Sequence, residues 1–355
     1  MGKIMNITII ANRLSGRGGE ETVLGSILTN KLFMKDNNIR VYWIQTNPNI
    51  NWISNFKIDP SIFIINSHTS KAMKLVSFFN DILKNNSELI ICMDIQISYI
   101  LKIIKTVFGK KYLIVLWPHF SIMNAPHFKK AIKLIKHSDY YLAISKGIKR
   151  ELVRSGVPSD KIKVIYNPIK KNDLIIAPSN DGIYRIIYVG RIMLDGQKNL
   201  RELFNALCDL PFDWELNIYG DGIDLNRCKD YCKSIGIISN IRWHGWVNNP
   251  WRKIKNADCL ILCSKYEGFP MVLGEAISRG IPCISSDCPD GPEDIILNGK
   301  NGFLYKSGDT NSLRKSIIKM HNDPSINRNI VKDSLNKYRM DNYIINLQRV
   351  LNTFH

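Results

Sequence analysis

Two glutamates eight positions apart, Glu267 and Glu275, bracket the segment whose residue types and spacing say most about chemistry. The run Glu267-Gly268-Phe269-Pro270-Met271-Val272-Leu273-Gly274-Glu275 follows an apolar, β-branched stretch, 258–263, that reads as a buried strand. Gly268 and Pro270 keep the chain out of helix until about Met271. A helix starting there leaves the amides of Met271 and Val272 without intrahelical partners, which suits a pyrophosphate. Glu275 then lies ~6 Å along the axis. Its side chain leans back toward the helix start, within reach of a ribose attached to that phosphate. Glu267, in the loop before the helix, faces a sugar. Two solvated surface glutamates are the bland alternative, and a position just past a buried strand argues against it.

Other residues fit the same chemistry. Gly190-Arg191 ends a strand run at 184–190, and Lys198 begins the next helical stretch; a guanidinium and a mobile ammonium together suit two linked phosphates. The loop Ser15-Gly16-Arg17-Gly18-Gly19-Glu20 joins a strand to a helix, and its glycines let backbone approach a ligand. Glu21 stands where the dinucleotide fingerprint needs glycine or alanine, so that motif is not met. His119 closes the strand run 112–117 and reads either as an active-site group or as a structural histidine. Trp243 ends another strand run and either packs near a base or belongs to the core. No Asp-x-Asp occurs, so no divalent metal is expected. The cysteine pairs Cys228/Cys232 and Cys259/Cys263 lack a histidine at zinc-site spacing, and the eight thiols read as reduced and buried.

The elements that must position these groups follow from periodicity. Apolar runs at 6–11, 39–46, 62–66, 88–93, 112–117, 139–144 and 162–166 alternate with helical stretches at about 20–36, 69–85, 97–108, 126–137 and 145–155. This is the pattern of a parallel sheet covered by helices. Strand runs resume at 184–190, 214–219, 240–245, 258–263 and 281–285. The expected fold is therefore α/β, two doubly wound Rossmann-like domains facing across a cleft: 1–168, a proline-bearing linker 169–183, 184–335, and a C-terminal helix in 336–355 that packs back on the first domain. Tyr338, Tyr343, Ile344, Leu347 and Leu351 are its candidate core contacts.

A formal charge of +18 over 355 residues is unevenly carried. Residues 1–180 hold 26 Lys and Arg against 11 Asp and Glu, whereas residues 181–355 hold 23 against 20. The first half is thus expected to meet something anionic. Lys129, Lys133 and Lys136 recur on one side of an expected helix, with Arg17 as a further candidate. No apolar run of about 18 residues occurs, so no membrane span is expected. Ile4 to Ala11 lacks a cleavage site and reads as a first strand rather than a signal peptide, which implies the cytoplasm.

The Glu-x7-Glu spacing, Gly190-Arg191 with Lys198, Gly220-Asp221-Gly222 and Asn301-Gly302-Phe303-Leu304 resemble, in order and over nearly the whole chain, the retaining GT-B glycosyltransferases of family 4. The resemblance implies that Arg191 and Lys198 bind the diphosphate of a nucleotide sugar and Glu275 its ribose. It implies that Glu267 and the amides of Gly268 and Phe269 hold the sugar, and that Gly18 and Gly19 approach the donor. Trp117-Pro118-His119-Phe120-Ser121, Ala143-Ile144-Ser145, Tyr166-Asn167-Pro168, Trp243-His244-Gly245-Trp246 and Gly280-Ile281-Pro282-Cys283 resemble the members that add galactose to the lipopolysaccharide core. Those members carry Thr-Leu-Leu where this chain has Val272-Leu273-Gly274. The likeness implies a UDP-hexose donor (UDP-galactose), a lipopolysaccharide core acceptor, α-1,6 linkage, retention through a same-face mechanism, and no cofactor. With the basic first half, it implies peripheral attachment to the anionic cytoplasmic face of the inner membrane.

Three other readings are open at this level. One is transfer of glucose or N-acetylglucosamine to O-antigen, capsule or another surface glycan. A second is a nucleotide-sugar epimerase of the same fold. The third is a basic nucleic-acid-binding protein, which lacks any aromatic RNA-binding strand or zinc-finger pattern here and leaves the Glu-x7-Glu segment without a purpose.

Overall fold

The computed structural model describes residues 4–12, 14, 19–45, 50–124, 128–323 and 325–354. The chain divides into two compact units, Met1–Pro168 with Met340–His355, and Ile169–Arg339.

In the first unit, short β-branched runs form seven strands: β1 (Met5–Ala11), β2 (Asn37–Ile44), β3 (Phe63–Asn66), β4 (Leu89–Cys92), β5 (Leu113–Leu116), β6 (Tyr140–Ala143) and β7 (Ile162–Val164). All pair in parallel, in the order β3-β2-β1-β4-β5-β6-β7. The helices are α1 (Gly19–Leu28), α2 (Lys31–Asp36), α3 (Asn51–Phe56), α4 (Lys71–Lys84), α5 (Ile95–Val107), α6 (Phe128–Ile135) and α7 (Lys146–Arg154). Side-chain caps fix several starts: Asp94 accepts from the amides of Gln96 and Ile97, and Ser145 from that of Ile148. The expected helix over 20–36 is in fact two, because Asn30 caps a new start by accepting from the Phe33 amide. Phe78 and Ile82 of α4 and Leu101 and Ile104 of α5 pack with Ile10, Tyr42, Ile90 and Ile114 in one core on a single face of the sheet.

The second unit has six strands, β8 (Tyr184–Val189), β9 (Trp214–Tyr219), β10 (Ile241–Gly245), β11 (Cys259–Leu262), β12 (Cys283–Ser286) and β13 (Gly302–Tyr305), again all parallel, in the order β10-β9-β8-β11-β12-β13. Its helices are α8 (Leu200–Leu207), α9 (Leu225–Ser234), α10 (Met271–Ile277), α11 (Pro292–Ile295), α12 (Thr310–His321) and α13 (Arg328–Asp333). Strand β13 was not expected; three apolar residues between Gly302 and Lys306 are too few to show alternation. In both sheets the strand order reverses beside the first strand, at β1/β4 and at β8/β11. Open α/β sheets bind ligands beyond the strand ends at such points.

Two boundaries differ from the sequence reading. Residues 169–183 are not a free linker. Ile169 and Ile176 are buried, the Ile176 amide donates to Arg279 O, and the Ser179 amide donates to Asp258, so the segment is laid onto the second unit. The C-terminal stretch changes unit between Arg339 and Met340. Tyr338 therefore stays in the second unit, while helix α14 (Met340–Leu351) packs in the first, where Asn37 donates to Gln348 at 2.6 Å and Phe354 stacks on Tyr140. Tyr343, Ile344, Leu347 and Leu351 are buried along it.

The candidate nucleotide-sugar site

Two loops meet at the switch point of the second unit. The loop after β8 runs from Gly190 to Asn199, and that after β11 from Cys263 to Pro270. They are stitched together: the Lys265 amide donates to Gln197 O at 2.8 Å, Gln197 Nε2 to Tyr266 O at 3.2 Å, and Cys263 Sγ to Lys198 O at 3.2 Å. Asn199 adopts a left-handed conformation (φ 49°) and starts α8 at Leu200, so Lys198 lies in the loop and not on the helix as expected. From there its Nζ reaches Glu267 Oε1 at 2.6 Å, with only 16% and 10% of the two side chains exposed. The sequence reading gave these residues separate tasks, phosphate and sugar. The fold brings them together as a largely buried ion pair.

Arg191 lies two residues beyond β8, its guanidinium exposed and without an ion-pair partner among the described residues. Its backbone is held: Gly190 and Ile192 donate their amides to Tyr219 O and Asp221 O, and Tyr188 donates its hydroxyl to Arg191 O. The Gly220-Asp221-Gly222 turn presses close against this segment. A Cβ on Gly220 (φ 149°) would stand 1.9 Å from Gly190 O, so only glycine fits there.

Helix α10 begins at Met271, with Met271, Val272 and Glu275 partly exposed. Glu275 accepts a 2.9 Å hydrogen bond from the Trp251 indole, and the Arg279 guanidinium lies over that indole at 4.8 Å. Burial holds the Glu275 carboxyl above the usual range, against the lowering effects of Trp251 and Arg279. Trp251 escaped the sequence reading, since a tryptophan 24 positions away in a short helical turn gives no spacing signal. The Phe269 ring is buried edge-on against Tyr338, at 5.7 Å, which leaves its backbone, the part read from the sequence, for a ligand. Behind it lies Gly291 (φ 102°), where a Cβ would meet Pro270 Cδ at 2.6 Å and Gly268 O at 2.9 Å; this approach supports the 268–270 loop. The unusual Gly274 faces Ile169, whose Cδ1 would sit 2.4 Å from an added Cβ. The departure at Val272-Leu273-Gly274 thus answers packing inside the unit.

Trp243 takes the core side of its two readings. It stands on the edge strand β10, edge-on to Phe204 of α8 at 6.2 Å, with Lys229 Nζ 5.9 Å from its ring. In the first unit, His119 follows β5 and packs edge-on against Trp117 at 4.3 Å. Its Nε2 is buried and has no hydrogen-bond partner among the described residues. Burial lowers its pKa to about 3, which keeps the ring neutral at physiological pH. Because the unfolded chain takes up a proton near 6.5 that the folded chain refuses, stability should fall as pH drops from about 6.5 toward 3. His119→Leu should flatten that part of a urea-denaturation pH series; an unchanged slope would mean that the ring is protonated in the folded protein.

Gly19 opens α1, whereas Arg17 and Gly18 lie outside the described residues. Lys129 and Lys133 are exposed on α6; Lys136 falls just past its end, with its ammonium beside Gly156. The eight cysteines are free thiols, and Cys208, unlike the other seven, is exposed.

Two Rossmann-like units of this order make the GT-B architecture, and the chain belongs to the glycosyl transferases of group 1, whose family model matches residues 170–337. It is 37% identical over 313 residues to the lipopolysaccharide 1,6-galactosyltransferase of Salmonella typhimurium, covering 86% of each chain. To the Escherichia coli K12 protein of the same name it is 34% identical, again over 86% of each. The apo form of the lipopolysaccharide outer core galactosyltransferase WaaB superposes with a TM-score of 0.87 at 31% identity, over 98% of this chain and 99% of that one.

Proposed function

We propose that this protein transfers galactose from UDP-galactose to a hydroxyl of the lipopolysaccharide core, forming an α-1,6 linkage with retained anomeric configuration. The observation that carries the reading is the Lys198–Glu267 pair at the β8/β11 switch point, in a chain 37% identical to a lipopolysaccharide galactosyltransferase. In the reaction the bond from the sugar C1 to the β-phosphate oxygen breaks, a bond from C1 to the acceptor oxygen forms on the same face, and the acceptor proton passes to the departing phosphate. Negative charge therefore grows on UDP. Arg191 and Lys198 stabilise it, Lys198 from a largely dry setting in which a fixed charge acts most strongly. Glu267 accepts from a sugar hydroxyl while steering Lys198, and Glu275 accepts from the ribose hydroxyls. The Nε2 of His119, buried and without a partner among the described residues, suits a sugar hydroxyl.

Those cations take the place of a divalent metal, so addition of EDTA should leave the rate unchanged; a loss restored by Mg2+ or Mn2+ would overturn this part. The basic first unit suits the anionic cytoplasmic face of the inner membrane, where a lipid-linked, phosphorylated core resides. No helix among the described residues is long and apolar enough to cross a membrane.

Release of UDP should be measured from UDP-galactose, UDP-glucose and UDP-N-acetylglucosamine, with and without core lipopolysaccharide lacking this galactose. Release from UDP-galactose that depends on acceptor is expected, with the linkage read by NMR of the product. Acceptor-independent conversion of the sugar would favour an epimerase. Release only with another donor or glycan would favour a different surface-glycan transferase.

A further inference from the structure

We propose that the outer face of α4 and α5 is the surface by which this protein seats on an anionic lipid bilayer; the proposal rests on the lipid-linked acceptor of the function above. The inner faces of both helices fill the core of the first unit. Their outer faces carry what a soluble surface ordinarily avoids: Met73 and Val76 of α4 are 54% and 60% exposed, and Ile103, Val107 and Phe108 at the end of α5 are 46%, 67% and 48% exposed. The two sets form one ridge, because Phe79 of α4 meets the Phe108 ring edge-on at 5.1 Å. Five large apolar side chains gathered on two neighbouring helices mark an interaction surface rather than scattered exposure.

Charge selects the occupant. Lys71, Lys84 and Lys111 border the ridge and are exposed. None of the three acids between residues 67 and 111 is exposed: Asp81 accepts from Tyr42, Asp94 caps α5, and Glu88 is half-buried. Helix α6 packs beside α5 and extends the rim with Lys129 and Lys133. A second copy of the chain would set these lysines against their own kind. Anionic headgroups neutralise them while the ridge enters the acyl boundary, the arrangement of an interfacial amphipathic surface. The basic charge noticed in the sequence is then the rim of the surface, and the apolar ridge its centre.

The test is co-sedimentation of the full chain with vesicles of phosphatidylglycerol and phosphatidylethanolamine, against vesicles of phosphatidylcholine. Wild-type protein should bind the anionic vesicles. The variant V76S/V107S/F108S should bind them at least about tenfold more weakly, with unchanged circular dichroism, UDP affinity and transfer to a short-chain acceptor in solution. K129E/K133E should lose only the salt-sensitive part of binding. Failure of wild-type protein to bind at low salt, or binding of the triple serine variant like wild type, would overturn the proposal. So would a concentration-dependent dimer that the triple variant abolishes, since the ridge would then be a self-association face. Vesicle binding by a protein that transfers no sugar to any acceptor would refute the function above and leave the surface standing.

Discussion

Replacing Lys198 by methionine is expected to lower kcat/KM for sugar transfer by about 10²–10³-fold, the size of effect seen when one charge-stabilising donor is removed from a dry site. It should also lower stability by about 3–5 kcal/mol, because Glu267 would be left as a buried charge without its cation. The ammonium and carboxylate are 2.6 Å apart and mostly shielded from water. That geometry allows a second measurement to separate function from support. In the double variant K198M/E267L both charges are gone, so the urea midpoint should return toward wild type while transfer stays lost. Recovery of transfer along with stability would reduce the pair to a structural strut. Glu267→Ala alone should mainly slow transfer at saturating donor, as expected for a group that holds the sugar.

Glu275→Gln should weaken UDP binding by about 10–100-fold, the loss of one charge-assisted hydrogen bond to a ribose hydroxyl. It should do so without a stability penalty. Burial raises the folded pKa of Glu275 above its ordinary value. The folded chain therefore holds that proton more firmly, and the resulting stability is lost as pH rises through the folded pKa. Ionisation of the group is therefore a burden on the fold. Glutamine still accepts from Trp251 and carries no charge to desolvate, so the melting temperature should stay level or rise. Calorimetric titration with UDP, beside thermal melts, decides it. A lowered melting temperature with intact UDP affinity would make Glu275 a structural partner of Trp251 and nothing more.

Such a residue, costly to the fold yet present, is what a binding site looks like in free-energy terms. Glu275 was visible in the sequence by its spacing from Glu267; its cost was not. Desolvation depends on Trp251 and on everything else packed around α10, and none of that follows from spacing. The same division runs through the site. Strand ends and glycine positions located Arg191 and Glu267 on two loops and Lys198 at a helix start, because parallel sheets announce themselves as β-branched runs separated by helical periods. That the two loops are neighbours comes from the order β10-β9-β8-β11-β12-β13, in which β8 and β11 adjoin although 69 residues separate Lys198 from Glu267.

Aromatic residues show the limit most plainly. In the sequence Trp243 reads equally as a base contact or as core, and Phe269 offers an amide while the direction of its ring is left open. Phe204 turns the first into the core, and Tyr338 covers the ring of the second. A ring's direction is set by the neighbour that buries it, and that neighbour lies 39 residues away for Trp243 and 69 for Phe269.

By itself, then, the sequence determined the alternation of strand and helix, the basic bias of the first half and the residue types at the ends of β8 and β11, because each of these is written in local pattern or composition. Tertiary structure alone decided the Lys198–Glu267 contact, the desolvation of the Glu275 carboxyl, the place of residues 169–183 on the second unit and the exposure of the α4–α5 ridge. These depend on which distant segments exclude water from a group, and contacts of that kind have no local signature.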